Sequence, residues 1–182
     1  VDPLNDIDAG SSDNCGVTLA TSPASFTCAD LGLQSITLTA TDPTSNSSSC
    51  VTTVNVIDNT APDAQCQPFT LVLDPSGSGT LTTGDINNGS SDNCGIASLA
   101  LDITTFNCSN IGANTVELTV EDNNGLVSTC TETVTVEDNE VPVFVNCPTD
   151  IEVCADDATG VTVTYATITA TDNCSSSVSQ TD

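Results

Sequence analysis

The chain has 182 residues, with 25 Asp plus Glu and no Lys, Arg or His, so its formal net charge is −25. That balance excludes nucleic-acid binding by phosphate neutralisation and docking on an anionic membrane, since both need Lys and Arg. It also excludes histidine catalysis, lysine Schiff bases, P-loops, histidine-ligated metals and lysine isopeptide crosslinks, leaving carboxylate, hydroxyl, amide and sulfur chemistry.

Acidity here does not imply disorder. Disordered acidic chains are poor in apolar and β-branched residues, whereas this one is 37% hydrophobic, with a mean hydropathy of +0.06. Aromatic residues make up only 3%, so the expected core is small and aliphatic. Small cores need covalent staples, and the ten cysteines can supply them. Cysteine-rich, strand-rich composition points to an oxidising, extracellular or cell-surface setting. No apolar run approaches the 18 or so residues of a membrane-spanning helix, so direct membrane insertion is not expected. No signal peptide heads the chain, and Val1 is expected not to be the natural N-terminus.

Self-comparison shows internal repetition. Gly10-Ser-Ser-Asp-Asn-Cys15-Gly16 recurs as Gly89-Ser-Ser-Asp-Asn-Cys94-Gly95, and more weakly as Thr171-Asp-Asn-Cys174. Phe26-Thr-Cys28 recurs as Phe106-Asn-Cys108, Ser35–Asp42 as Thr115–Asp122, and Val56–Pro62 as Val136–Pro142. The offsets are all about 80 residues, the size of one small β-domain. The reading is a tandem array: 1–62 is a repeat without its first strand, 63–142 a complete repeat, and 143–182 the N-terminal part of a third. Both ends would then fall inside domains. Either the chain is a window on a longer array, or neighbouring copies complete its ends by strand donation.

Within 63–142 the elements read in order as strands of period two. Phe69–Asp74 and Gly79–Ile86 are the first two, Ile96–Asp102 the third, and Val116–Asp122 with Val127–Val136 a hairpin closed by a tight Asn-Gly turn. No segment has helical periodicity. About seven short strands in such a length predict an all-β fold of tandem immunoglobulin-like β-sandwich repeats.

A metal reading of the cysteines would want Cys-x-x-Cys knuckles, and none is present. Disulfides are therefore expected. Cys15 and Cys28 lie 13 positions apart and Cys94 and Cys108 lie 14 apart, spacings that suggest two local loops. Cys66 on the first strand and Cys130 on the last suggest a bridge clamping the domain end to end. By repeat position the partner of Cys50 is expected before Val1 and that of Cys147 beyond Asp182. Cys154 and Cys174 are left without assigned partners.

The acidic loops repeat with the array. The linker Asp58-Asn59-Thr-Ala-Pro62, the Asp92 loop and the Asp122 loop are expected to converge at one end of the second repeat. Asp13 and Asp42 are their counterparts one repeat earlier, and Asp138, Asn139, Glu140 and Asp172 those at the next junction. Crowded carboxylates without cations repel: about 4 kcal/mol for two charges at 4 Å and an effective dielectric of 20. Ca2+ would turn that repulsion into cohesion, because it takes six to eight oxygens from Asp, Glu, Asn and carbonyls. The competing reading is that these residues only cap turns, for which Asp and Asn are common choices. Catalysis is not expected, since every conspicuous Asp recurs with the repeat and so belongs to the scaffold. Asn46, Asn88, Asn107 and Asn173 stand in Asn-x-Ser sequons, which short polar chains also produce by chance.

The run Val136–Val153, followed by Thr169-Ala-Thr-Asp-Asn-Cys174, resembles the hyalin repeat, an immunoglobulin-like extracellular module. Val116–Asp138 resembles that module's last hairpin, and the whole is similar to tandem arrays of secreted Bacteroidota surface proteins. The Asp-Asn-x-x-Pro linker is similar to the calcium-binding junction of cadherins. Cys66-Gln departs from the usual Cys-Pro of the hyalin pattern. The resemblance implies adhesion or extracellular scaffolding and no catalytic residues. The resulting expectation is a segment of an extracellular fibre or surface adhesin, locked by disulfides and stiffened by calcium. Its expected partners are neighbouring copies or repeats, with a surface ligand or glycan as a further candidate. The alternatives are a passive stalk presenting a catalytic or carbohydrate-binding domain, and a ligand-binding module, which a chain this poor in Trp, Tyr and Arg is ill equipped to be.

Overall fold

A computed structural model describes residues 7–147, 149–150, 152–154, 160, 163 and 167–175. It is an all-β protein, as its sequence predicts. The chain divides into two compact units. The first comprises 1–62 with the loop stretches 91–97 and 121–127, and the second comprises 63–90, 98–120 and 128–182.

In the first unit, β1 (Thr18–Ser22), β2 (Gly32–Thr41) and β3 (Ser47–Val56) form an antiparallel sheet in that order. Period-two alternation places Ile36 and Leu38 on the buried face of β2. A cis peptide bond joins Ser22 to Pro23 just after β1.

The strands β4 (Phe69–Val72), β6 (Ile96–Leu101), β8 (Gly112–Asp122) and β9 (Val127–Glu137) form a four-stranded sheet in the order β4-β9-β8-β6. β4 runs parallel to β9, from Phe69 opposite Val134 to Val72 opposite Glu137. The short strands β5 (Ser78–Thr80) and β7 (Thr105–Asn107) pair separately. β6, β8 and β9 take the places of strands C, F and G of an immunoglobulin-like sandwich, and β5 and β7 those of B and E. Val116, Leu118, Val120, Val134 and Val136 are almost wholly buried, as are Leu81, Ile86 and Phe106. Gly79 lies so close to the Leu71 side chain that a β-carbon there would approach it to 3.0 Å. Two further strands, β10 (Val143–Phe144) and β11 (Ala170–Thr171), form a small antiparallel pair; the rest of the third repeat expected over 143–182 lies largely outside the described residues.

Three local expectations are corrected. The strand expected over Gly79–Ile86 ends at Thr80, and one helical turn, α1 (Thr83–Ile86), follows. The Asp85 carboxylate accepts hydrogen bonds from the Thr82 amide and hydroxyl at 2.8 and 2.7 Å, a Thr-x-x-Asp start signal; a single turn is too short to show periodicity. The β8–β9 turn is wider than a two-residue Asn-Gly hairpin. Asp122 and Leu126 close it, the Asp122 amide donating to the Leu126 carbonyl at 3.0 Å. Only Gly125 takes a positive φ, +85°, while Asn124 does not.

The third correction concerns the disulfides. Cys66–Cys130 forms as expected, but the local pairs Cys15–Cys28 and Cys94–Cys108 do not. Cys28 is bonded to Cys94 and Cys108 to Cys174, each across 66 positions. The reason is strand direction. β6 begins two residues after Cys94 and carries the chain roughly 20 Å away from it before the turn that leads to Cys108. Cys15, Cys50, Cys147 and Cys154 are exposed free thiols. On the chain-entropy estimate each long bridge contributes about 4 kcal/mol.

Non-reducing peptide mapping should recover Cys28–Cys94, Cys66–Cys130 and Cys108–Cys174; recovery of Cys94–Cys108 would refute this connectivity. Leu118→Ala, at a site with no exposure, should cost about 2–5 kcal/mol in chemical denaturation, against under ~0.5 kcal/mol for the exposed Thr131→Ala.

Candidate metal centre

Asp58, Asp92 and Asp122 all belong to the first unit. Each offers one carboxylate oxygen to a cluster whose atoms lie within 4.8 Å of one another. Each arrives by a different local route. Asp58 follows β3 in the linker, and its Oδ1 accepts from the Thr60 amide at 3.1 Å and the Asn93 side-chain amide at 3.2 Å. Asp92 heads the loop before β6, and its Oδ2 accepts from the Cys94 and Gly95 amides at 2.7 and 3.1 Å. Asp122 ends β8 on the same alternating row as Val116, Leu118 and Val120, so it points inward and is only 1% exposed. Its Oδ1 accepts from the Asn124 and Leu126 amides, both at 2.8 Å.

Each carboxylate thus uses one oxygen to shape its own loop. The other oxygens, Asp58 Oδ2, Asp92 Oδ1 and Asp122 Oδ2, are buried without a hydrogen-bond partner. Buried polar atoms are nearly always partnered, and buried anions are costly unless a positive charge answers them. The chain encodes no side-chain cation. Three clustered carboxylates, each with an unsatisfied buried oxygen, fit a hard metal ion bound through oxygen, so this group can hold one.

Asp42 occupies the position equivalent to Asp122 one repeat earlier, and it behaves differently. Thr44 and Asn46 stand where Asn124 and Leu126 stand in the later turn. Their side chains bind Asp42 Oδ2, at 2.9 and 2.8 Å, while both backbone amides donate to Oδ1. The Leu126 side chain has no donor to offer Asp122, whose second oxygen is left without a hydrogen-bond partner. Of the other expected ligands, Asp13 is exposed and accepts from the Cys15 amide at 3.1 Å. Asn59, Asn139 and Glu140 are exposed, and Asp138 is half-buried with Oδ1 accepting from the Glu140 amide at 3.2 Å.

The second unit holds a partial parallel. Asp172 Oδ1 and Asn173 Oδ1 are buried without partners, and both residues line a cavity of about 230 Å3 with Glu140 and Thr171. Among the described residues no third carboxylate joins Asp172 there.

Sequence reasoning overlooked Asn93 and Asn123. Asn93 ties the linker Asp58 to the Asp92 loop, and the Asn123 side chain donates to the Cys94 carbonyl at 2.9 Å. The repeated Ser-Ser-Asp-Asn-Cys-Gly run carries the signal for Asn93, since its Asn recurs beside the Asp.

The hydrogen bonds to Asp42, led by the Asn46 side chain and then its backbone amide, hold that carboxyl below its ordinary value of 3.8. A depressed carboxyl stabilises the fold above the unfolded value, and this contribution disappears as pH falls through the lower folded value. NMR titration should place the Asp42 midpoint below 3.8 and return it toward 3.8 in Asn46→Ala; an unchanged midpoint would contradict the assignment.

No family model matches the chain, and no curated protein matches it. Among solved structures it is similar to a protocadherin gammaB7 EC3-6 cis-dimer, at 19% identity and a TM-score of 0.36, over 80% of this chain and 44% of that one. It is similar to the protocadherin GammaB4 extracellular domain, at 18% identity and a TM-score of 0.36, over 74% and 27%. It is also similar to an endo-fucoidan hydrolase of glycoside hydrolase family 107, at 18% identity and a TM-score of 0.29, over 62% and 20%. The chain therefore spans less than half the length of each of these proteins.

Proposed function

We propose that the chain is a structural segment of an extracellular fibre or surface adhesin, in which disulfides lock the β-domains and Ca2+ at Asp58, Asp92 and Asp122 fastens the linker to two neighbouring loops. One observation carries the calcium reading: in a chain without side-chain cations, three carboxylates that each bring an oxygen within 4.8 Å of the others also each leave a buried oxygen without a hydrogen-bond partner. Ca2+ suits such a set better than Mg2+, which usually keeps several waters and takes only one or two carboxylates. Bound there, the ion supplies the positive charge that the sequence omits. The residues of the chain do the rest. Asn93 and the Thr60, Cys94, Gly95, Asn124 and Leu126 amides orient the three carboxylates through their second oxygens.

The structural reading rests on the repeated β-domains and on three disulfides, bonds that persist in oxidising compartments. No helix among the described residues is long and apolar enough to cross a membrane. The absence of Lys and Arg also removes every trypsin site, a useful property in a persistent extracellular polymer. This reading assigns the chain no catalytic step.

Calcium at 100 times its dissociation constant should stabilise the protein by about 2.7 kcal/mol, a rise in Tm of about 10 °C or more for a domain of this size. Chelation should reverse it. Asp122→Asn should abolish most of the calcium-dependent increment, while Asp42→Asn, in the turn that satisfies its own carboxylate, should leave it in place. A Tm indifferent to calcium and chelator would overturn the metal reading. Electron microscopy of the native material separates an ordered fibre from isolated flexible tails, and the latter would overturn the fibre reading.

A further inference from the structure

Three groups of Cys94 each lead to a different carboxylate of the acidic cluster. Its amide donates to Asp92 Oδ2 at 2.7 Å. Its carbonyl accepts from the side chain of Asn123, the residue after Asp122, at 2.9 Å, and the Asn123 amide donates to the adjoining Gly95 carbonyl at 3.2 Å. Its sulfur accepts from the Asn93 side-chain amide at 3.2 Å, and the same nitrogen donates to Asp58 Oδ1 at 3.2 Å. Cys94 is in turn anchored by its bond to Cys28. Cys28 opens a short 3-10 turn, Cys28–Asp30, in which Asp30 accepts from the Thr27 amide at 2.8 Å and the Thr27 hydroxyl from the Ala29 amide at 3.3 Å. The Cys28 sulfur also lies 3.4 Å from the Asn93 carbonyl oxygen. All of these residues belong to the first unit.

From this arrangement we infer that the Cys28–Cys94 bridge positions the calcium ligands, so that the redox state of this disulfide and the occupancy of the site are linked. The inference deepens the calcium reading and rests on it. Opening the bridge releases Cys94 from Cys28 and slackens the contacts that lead to Asp58, Asp92 and Asp122 together. Ligands already ordered by the bridge need little further ordering when the ion binds, whereas without it the ion must collect them itself. The effect is reciprocal: the factor by which the bridge raises calcium affinity is the factor by which calcium favours the bridge over its reduced form. The bridge is also open to attack. Of the six disulfide-bonded cysteines among the described residues, only Cys28 is exposed, and a cavity of about 220 Å3 is lined by Cys28, Cys94, Asn93 and Asp58. In the second unit the Cys108 sulfur likewise lies 3.4 Å from the Asn173 carbonyl oxygen, so the repeat itself sets a disulfide against the Asp-Asn pair.

A dithiol reductant opens the bridge in two exchanges. One of its thiolates attacks the exposed Cys28 sulfur; a mixed disulfide forms there, the Cys28–Cys94 bond breaks, and Cys94 leaves as its thiolate. The second thiolate of the reductant then attacks the reductant sulfur bonded to Cys28, closing a cyclic disulfide and releasing the Cys28 thiolate. Two electrons pass from the dithiol to the bridge, and the two cysteines take up the protons that the dithiol gave up.

Calorimetric titration of Ca2+ into the full, oxidised chain should show binding, and the Cys28→Ser/Cys94→Ser variant should bind about tenfold more weakly. Asn93→Ala, which keeps the bridge but cuts the path to Asp58, should fall between the two. The unaltered chain gives a second readout that needs no variant to fold. In a dithiol–disulfide buffer, non-reducing peptide mapping should show the reduced-to-oxidised ratio of Cys28–Cys94 falling about tenfold on saturation with Ca2+. The ratio for Cys66–Cys130, which lies in the second unit, should not move. Equal calcium affinity with and without the bridge, or a Cys28–Cys94 ratio indifferent to calcium, would overturn this inference and leave the calcium site standing. No binding to the oxidised chain would overturn both.

Discussion

A chain with 25 carboxylates and no cationic side chain must answer every carboxylate that leaves water with a backbone amide, a hydroxyl, a side-chain amide or an ion from outside. That constraint governs the loops. Asp30 accepts from the Thr27 amide and hydroxyl, Asp74 from Ser76 and Ser78, and Asp85 from Thr82. In these turns the acid folds the chain back on itself and supplies local order that a Lys or Arg partner supplies elsewhere. The same economy reaches its limit at Asp58, Asp92 and Asp122. There, in three carboxylates that cluster together, the loop amides and Asn93 satisfy one oxygen of each and leave the other buried without a partner.

The core and the acidic cluster are continuous along one strand. β8 sends Val116, Leu118 and Val120 inward, and the next inward position is Asp122. Burial of the aliphatic row therefore fixes where the carboxylate points, before any ligand is considered. A slip of one residue in the pairing of β8 would expose the three apolar side chains and turn Asp122 to solvent together. Packing and site geometry are thus set by the same register.

Much of this could be read in the sequence, and the limits have physical causes. Alternation marked the strands at 69–72, 96–101, 116–122 and 127–136, because a half-buried strand writes its two faces directly into the order of residues. It also contained the inward aim of Asp122, two positions beyond Val120. The single turn α1 was missed because four residues cannot display a 3.6-residue period; its Thr82-x-x-Asp85 start was the available signal. Spacing misled for Cys28, Cys94 and Cys108, since separation along the chain says nothing of which way the intervening strand runs. The convergence of Asp58, Asp92 and Asp122 was legible from the repeats, whereas the difference between Asp42 and Asp122 hung on turn side chains: Thr44 and Asn46 both donate to Asp42 Oδ2, and Leu126, in the place of Asn46, has no side-chain donor.

The three disulfide loops run from 28 to 94, from 66 to 130 and from 108 to 174. Each begins before the previous one ends, so together they enclose every peptide bond between Cys28 and Cys174. A single backbone cut anywhere in that stretch falls inside at least one closed ring and leaves the two pieces joined. A lone scission there nicks the strand without parting it, and separation requires either a second cut or a reductant.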